Sequence, residues 1–329
     1  MPRRLFIFRT FCFVVLNLII LASVAKGPIT GKTNAVDVNG SFAYLGVGQE
    51  MVVFNVIDPA NPVLIGTVDA LGDTVQDIQI VENLAFVAAG TAGLHIIDVS
   101  NPNQPQKISH FETPGLVNGL FVTEGHAYLA AGGAGLLVMD ISNPSNPVPV
   151  SMSKTLAWDT DVVVSKGIAY VASGEEGVRM VDVTTPSNPL TIRSINTPND
   201  ANGVFVEGNL LFVAAGSGGL QIVNIENSSA PKEVVVEDTG YARRVVVDSG
   251  FAYVAIERKG VWALDITNPS TPKRVKRFVP EGSANSLDIE GDYIYVGDGT
   301  GGLLVIKVSG RRTIELRREF SPALEVEGP

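Results

Sequence analysis

The sequence predicts an all-β fold: a seven-bladed β-propeller with four antiparallel strands per blade. The first observation behind it is a unit of about 42 residues repeated seven times and anchored on Tyr44, Phe86, Tyr128, Tyr170, Phe212, Tyr253 and Tyr295. A period in the forties with strand-like content reads as propeller blades rather than helical solenoid repeats. The second is that short apolar runs alternate with Gly- and Asn-rich turns inside every unit. The third is composition: 45% hydrophobic and 18% charged residues supply a large core and exclude a disordered chain.

From the N-terminus, Arg3, Arg4 and Arg9 precede an uncharged stretch from Phe11 to Val24 that ends Ser23-Val24-Ala25. A basic start, an apolar middle and small residues at the cut site make residues 1–25 a secretory signal peptide, with an uncleaved membrane anchor as the competing reading. The protein is thus expected to be secreted or at the cell surface, touching a membrane only through this segment if it is retained. Cys12, the one cysteine, lies inside it. A mature chain without cysteine has neither disulfides nor a thiolate metal site. Residues 26–33 form an N-terminal segment, 34–320 the propeller and 321–329 a tail. The formal charge is −10, and the first 25 residues hold three arginines and no acid, so the mature chain is more acidic still. That excludes the basic excess a nucleic-acid partner needs.

The second unit shows the strand order. Gln76 to Ile80 alternates at period two, Glu82-Asn83 turns, Leu84 to Ala88 is apolar, and Gly90-Thr91-Ala92-Gly93 turns again. Leu94 to Val99 is a continuous apolar run, as a strand covered on both faces requires; Gln106 to Phe111 is more polar, as an outer edge tolerates. Between these last strands a phrase recurs: Asp98-Val99-Ser100-Asn101-Pro102, Asp140-Ile141-Ser142-Asn143-Pro144 and Asp265-Ile266-Thr267-Asn268-Pro269, with weaker copies at Asn55, Asp182 and Asn224. Asp and Asn cap local N–H groups while proline presets φ, so this is turn chemistry.

Leu94-His95-Ile96-Ile97-Asp98, Leu136-Leu137-Val138-Met139-Asp140 and Val178-Arg179-Met180-Val181-Asp182 resemble the signature of the LVIVD-repeat family over about residues 34–320. The resemblance implies a propeller of exported or surface proteins of bacteria and archaea, and carries no catalytic residue to transfer. The last copy departs from it, with Lys307 in place of the acid and Ser309-Gly310-Arg311-Arg312 in place of the Asn-Pro turn; its fourth strand is expected near Thr313 to Arg317. Ring closure rests on blade faces alone, or on a strand from Gly27–Thr33 or Ala323–Val326.

If the first strand is innermost, one face collects the links between blades and the variable hairpins, and the other collects the repeated turns. Ten residues before each anchor stand Asn34, Gln76, Asn118, Thr160, Asn202, Arg243 and Asn285, a polar ring at the channel mouth that either binds a ligand or caps neighbouring backbone. Seven before stand Asp37, Gln79, Phe121, Val163, Phe205, Val246 and Asp288; nine before stand Ala35, Asp77, Gly119, Asp161, Gly203, Arg244 and Ser286. Asp37 and Asp288 become neighbours on closure, as a Ca²⁺ site or an acid–base pair would require; otherwise no cofactor is expected. The hairpin glycines do not feed a helix, so they are turns and not phosphate loops.

Trp158 and Tyr241 sit in links on the variable face, where they either anchor a partner or plug gaps between blades. Arg243, Arg244, Arg258 and Lys259 gather on blade six, either as an anion or partner patch or as a solvated charged edge. The three histidines form no constellation; His95 reads as a position-tolerant strand residue. Asn39-Gly40-Ser41 and Asn227-Ser228-Ser229 fit a short glycosylation pattern. Three functions are compatible with these residues: a non-catalytic extracellular binding module for a protein or carbohydrate, a hydrolase or lyase using Asp37, Asp77, Asp161, Asp288 and Arg243, and a structural envelope protein. Oligomeric state is not legible.

Overall fold

The computed structural model describes residues 31–309 and 313–320, with the side chains of the last strand left aside. The leader and residues 321–329 therefore lie outside the described residues. Twenty-eight strands form seven sheets, each of four strands in chain order, every neighbouring pair antiparallel. No described residue is helical. The first strand of blade one, Thr33–Asn39, touches that of blade two, Asp77–Val81, and so on round to Ser286–Glu290 of blade seven, which touches Thr33–Asn39 again. The first strands thus enclose an axis, as the sequence predicts.

Burial follows strand rank. Second and third strands such as Leu84–Ala88 and Leu94–Asp98 are almost wholly buried, because each sheet face is covered by the next blade. Outermost strands are exposed or half-buried, as in Gln106–Phe111, or almost wholly exposed, as in Leu190–Ile195. Seven apolar clusters fill the seven seams; the one joining blades seven and one packs Val36, Leu45 and Phe54 against Tyr295, Leu303 and Val305. Among the described residues the ring closes on blade faces; residues 27–30 and 323–326, which the sequence offered as a closing strand, lie outside them. Thr33 and Gly299 exchange backbone hydrogen bonds there (3.0 and 3.2 Å), as Val117 and Gly90 or Ala201 and Gly174 are paired at other seams. No strand is borrowed from another blade among the described residues; blade seven ends in its own fourth strand, Thr313–Phe320, three residues longer than the sequence predicts.

The recurring phrase is turn chemistry throughout. Asn55, Asp98, Asp140, Asp182, Asn224 and Asp265 each accept, through Oδ1, the N–H two residues on. Hydrogen bonds from Ser100, Ser142 and Thr184 hold Asp98, Asp140 and Asp182 below the usual carboxylate range. The opposite hairpins need glycine for a steric reason. Gly135 has φ +99°, and a Cβ there would collide with the Ser153 carbonyl oxygen that closes the sheet corner; Gly93 and Gly177 stand the same way against Phe111 and Ile195. Gly135→Ala is expected to destabilise the protein by about 1–3 kcal/mol in urea unfolding, through left-handed strain plus displaced backbone. Gly125→Ala, also at positive φ but with open space around its missing Cβ, should lose less.

Candidate functional site

An innermost strand has a sheet edge facing the axis, and its N–H groups need acceptors. The side chains seven and nine residues before each anchor provide several. Asp37 accepts from Ile80 (2.8 Å), Asp77 from Leu120 (3.0 Å), Asp161 from Val204 (2.9 Å) and Asp288 from Val38 (2.6 Å), each bond reaching into the next blade. Gln79 both accepts from Val122 N–H (2.7 Å) and donates to its carbonyl (3.3 Å). Phe121, Val163, Phe205 and Val246 occupy the corresponding slots elsewhere, and Phe205 packs against the core between blades five and six and against that between blades six and seven.

Across the axis, Arg244 of blade six reaches Asp161 of blade four, and lies 3.7 Å from Asp77 of blade two. It passes the intervening blades where these have glycine. A Cβ at Gly119 would stand 2.9 Å from the Asp161 carboxylate, and one at Gly203 3.4 Å from Arg244 Cδ. Arg244 is therefore a channel residue, not part of the surface patch that sequence proximity to Arg243 suggested. Its two carboxylates hold the guanidinium charged against the effect of burial. Burial pushes Asp77 up to about 6 even with Arg244 opposing it.

This bar divides the channel. Above it, Asn34, Gln76, Asn118, Thr160, Asn202, Arg243 and Asn285 line a chamber of about 160 Å³ with Tyr241. Three of the predicted ring amides are tied to the next blade: Asn118 donates to Asp159 O (2.9 Å), Asn202 to Ala242 O (3.0 Å) and Asn285 to Thr33 O (3.0 Å). The backbone-capping reading thus holds for them, and Arg243 pairs with Glu257 (3.1 Å). Below the bar, a chamber of about 400 Å³ is bordered by Asp37, Gln79, Phe121, Val163, Phe205, Val246 and Asp288. Burial, then the Asp288 charge, raises Asp37 well above its ordinary value; burial raises Asp288 to about 6.

The link face carries a second constellation. In the link before blade four, Leu156 is 99% exposed and Trp158 52% exposed. They border a concavity of about 600 Å³ with Gly133, Glu175, Asp200 and Asn202. The Trp158 ring lies over Gly132 and Gly133; a Cβ at Gly132 would stand 3.1 Å from it, tighter than an ordinary contact. The base of this arm is held by a buried triad. Arg179 Nη2 meets Asp159 Oδ2 (2.7 Å), Ser173 Oγ donates to Asp159 Oδ1 (2.7 Å), and Arg179 Nη1 donates to Lys154 O (3.4 Å). Tyr241, 41% exposed, lies on the same face, and Arg258 is exposed on the blade-six hairpin.

Sequence reasoning named Trp158, Tyr241 and Arg258 but missed Leu156 and the triad, since an apolar link residue reads as buried and a lone Arg in a strand as tolerated. Sequence reasoning also did not name a contact between two of the histidines. His95 and His110, cross-strand partners fifteen residues apart, stack with ring centroids 5.5 Å apart, and burial lowers His95 to about 4. Among the described residues, no three His, Cys, Asp or Glu side chains converge to hold a metal ion.

Seven four-stranded sheets around an axis, with loops gathered on one face, define a β-propeller. The LVIVD repeat model matches residues 30–70, 72–113, 114–155, 159–197, 198–239, 239–279 and 281–312, and the chain belongs to that family. Among solved structures it is similar to U3-55K (11% identity, TM-score 0.71, 89% of this chain and 96% of that one). It is also similar to the Neurospora crassa Pan2 WD40 domain (12%, 0.69, 90% and 93%). A third likeness is to a functionally unknown protein from Desulfotomaculum acetoxidans DSM 771 (15%, 0.70, 86% and 100%). At these identities the likeness is one of fold. No curated protein matches the chain in sequence. Fold and repeats together fit a binding or scaffold module.

Proposed function

We propose that this protein is a non-catalytic binding module, exported to the cell surface or beyond, that holds a protein or carbohydrate partner on its link face. The observation that carries this reading is the Leu156–Trp158 arm. Two apolar side chains stand in solvent beside a concavity, on a base fixed by an ion pair whose members are 5% and 0% exposed. A rigid base with an exposed aromatic tip is the arrangement that binding hot spots use, because little entropy is lost on contact. The secretory leader read in residues 1–25 supports the location. In the channel, by contrast, the carboxylates of an enzymatic reading serve neighbouring backbone N–H groups or Arg244.

The test is the double variant Leu156→Ser, Trp158→Ala screened with the parent on arrays of surface glycans and surface proteins. The parent is expected to retain ligands that the variant loses by about tenfold or more in affinity, while the unfolding midpoint stays unchanged. Equal retention by both would remove the arm from the function.

A further inference from the structure

The lower channel chamber separates its polarity by blade. Blades seven, one and two present Asp288, Asp37 and Gln79; blades three to six present Phe121, Val163, Phe205 and Val246. The four apolar side chains also pack against the seam cores, which fixes this wall opposite the paired carboxylates, and at about 400 Å³ the space falls within the size of small-molecule pockets. The carboxylates are also unequal in their partners. Asp77 and Asp161 share Arg244, whereas Asp37 and Asp288 have only backbone N–H donors and no described cation against them. The wall thus offers two carboxylates without a counter-ion among the described residues and two phenyl rings.

We infer that the lower chamber is a binding site for a small organic ammonium ion, with Asp37 and Asp288 receiving the charged head and Phe121, Val163, Phe205 and Val246 the apolar body. A positive group between the carboxylates removes the repulsion that burial magnifies there, and aromatic rings add attraction for a cation. A hard divalent ion satisfies the carboxylates but leaves the apolar wall unused, because such ions take oxygen ligands on all sides. The site is independent of the Leu156–Trp158 arm.

The test is calorimetric titration of the full-length protein at pH 7.5 with benzylammonium chloride, with benzyl alcohol as the neutral counterpart and with CaCl₂. The expected result is saturable one-site binding of benzylammonium, at least about tenfold weaker for the alcohol and for Asp37→Asn, Asp288→Asn. Asn can still accept the Val38 and Ile80 N–H bonds, so the seams are kept. Trp158→Ala should leave this binding unchanged, which separates it from the proposed link-face function. On the parent protein alone, affinity should fall as pH drops from 7.5 to 5, since Asp288 is held near 6 and Asp37 is raised with it. Absence of saturable binding, equal affinity for the alcohol, a pH-independent affinity, or displacement of benzylammonium by Ca²⁺ bound more tightly would each overturn the assignment.

Discussion

Replacing Arg244 by Met should lower stability by about 3–5 kcal/mol at pH 8, and by much less near pH 4.5. Arg244 is the shared counter-ion of Asp77 and Asp161, whose side chains are 20% and 6% exposed, so its removal leaves two carboxylates facing each other with only backbone donors. The pH dependence follows from proton linkage. Asp77 already stands near 6 with Arg244 present, and loses its lowering influence without it. Between the ordinary value of about 3.9 and that raised value, the folded state binds more protons than the unfolded state, so stability falls as pH rises through this interval. Urea unfolding at pH 4.5 and 8.0 measures it. A deficit of the same size at both pH values would mean that lost packing, not uncompensated charge, is what Arg244 prevents.

How Arg244 was misplaced from sequence shows where legibility ends. Its ring was identified: Ala35, Asp77, Gly119, Asp161, Gly203, Arg244 and Ser286 occupy one offset, with the long charged residues on blades two, four and six. Periodicity fixes such rings because every blade repeats the same strand phase. It does not fix which members meet across the axis, since that depends on channel width and on the space that Gly119 and Gly203 leave. The Asn-Pro turns, by contrast, were legible to the hydrogen bond, because an Asx cap is a contact two residues long. The His95–His110 stack needed the register of one strand pair, which shifts between Ile96 and Ile97. Leu156 was not legible at all: apolar character in a link predicts burial, and only the packed neighbours decide otherwise.

The same logic separates what stabilises the ring from what distinguishes it. The seam clusters are seven near-equivalent solutions to one packing problem, and the turn face repeats a single device six times. Differences concentrate in the channel and on the link face: among the described residues, blade four carries the ion pair with members 5% and 0% exposed, and blades one and seven carry carboxylates without a counter-ion. A propeller frees these positions to vary because the core does not depend on them.

The blade-four ion pair shows this in a form that can be measured. Asp159 and Arg179 stand where blade three has Val117 and Leu137, and where blade seven has Ala284 and Leu304. The repeat therefore contains an apolar solution for the same site. Arg179→Met alone should lower stability by about 3–5 kcal/mol, since it strands a fully buried carboxylate that burial already pushes upward. Asp159→Val with Arg179→Leu, the blade-three pair, should recover most of that loss, because replacing both charges removes the desolvation penalty along with the attraction. What the double variant does not restore is the tether from Arg179 to the Lys154 carbonyl at the root of the Leu156–Trp158 arm. In a Trp262→Phe background, whose only tryptophan is Trp158, fluorescence anisotropy should therefore fall in the double variant while the unfolding midpoint stays near that of the parent. Unchanged anisotropy would make the ion pair a replaceable piece of core; a fall would show that blade four retains two buried charges to aim an exposed side chain.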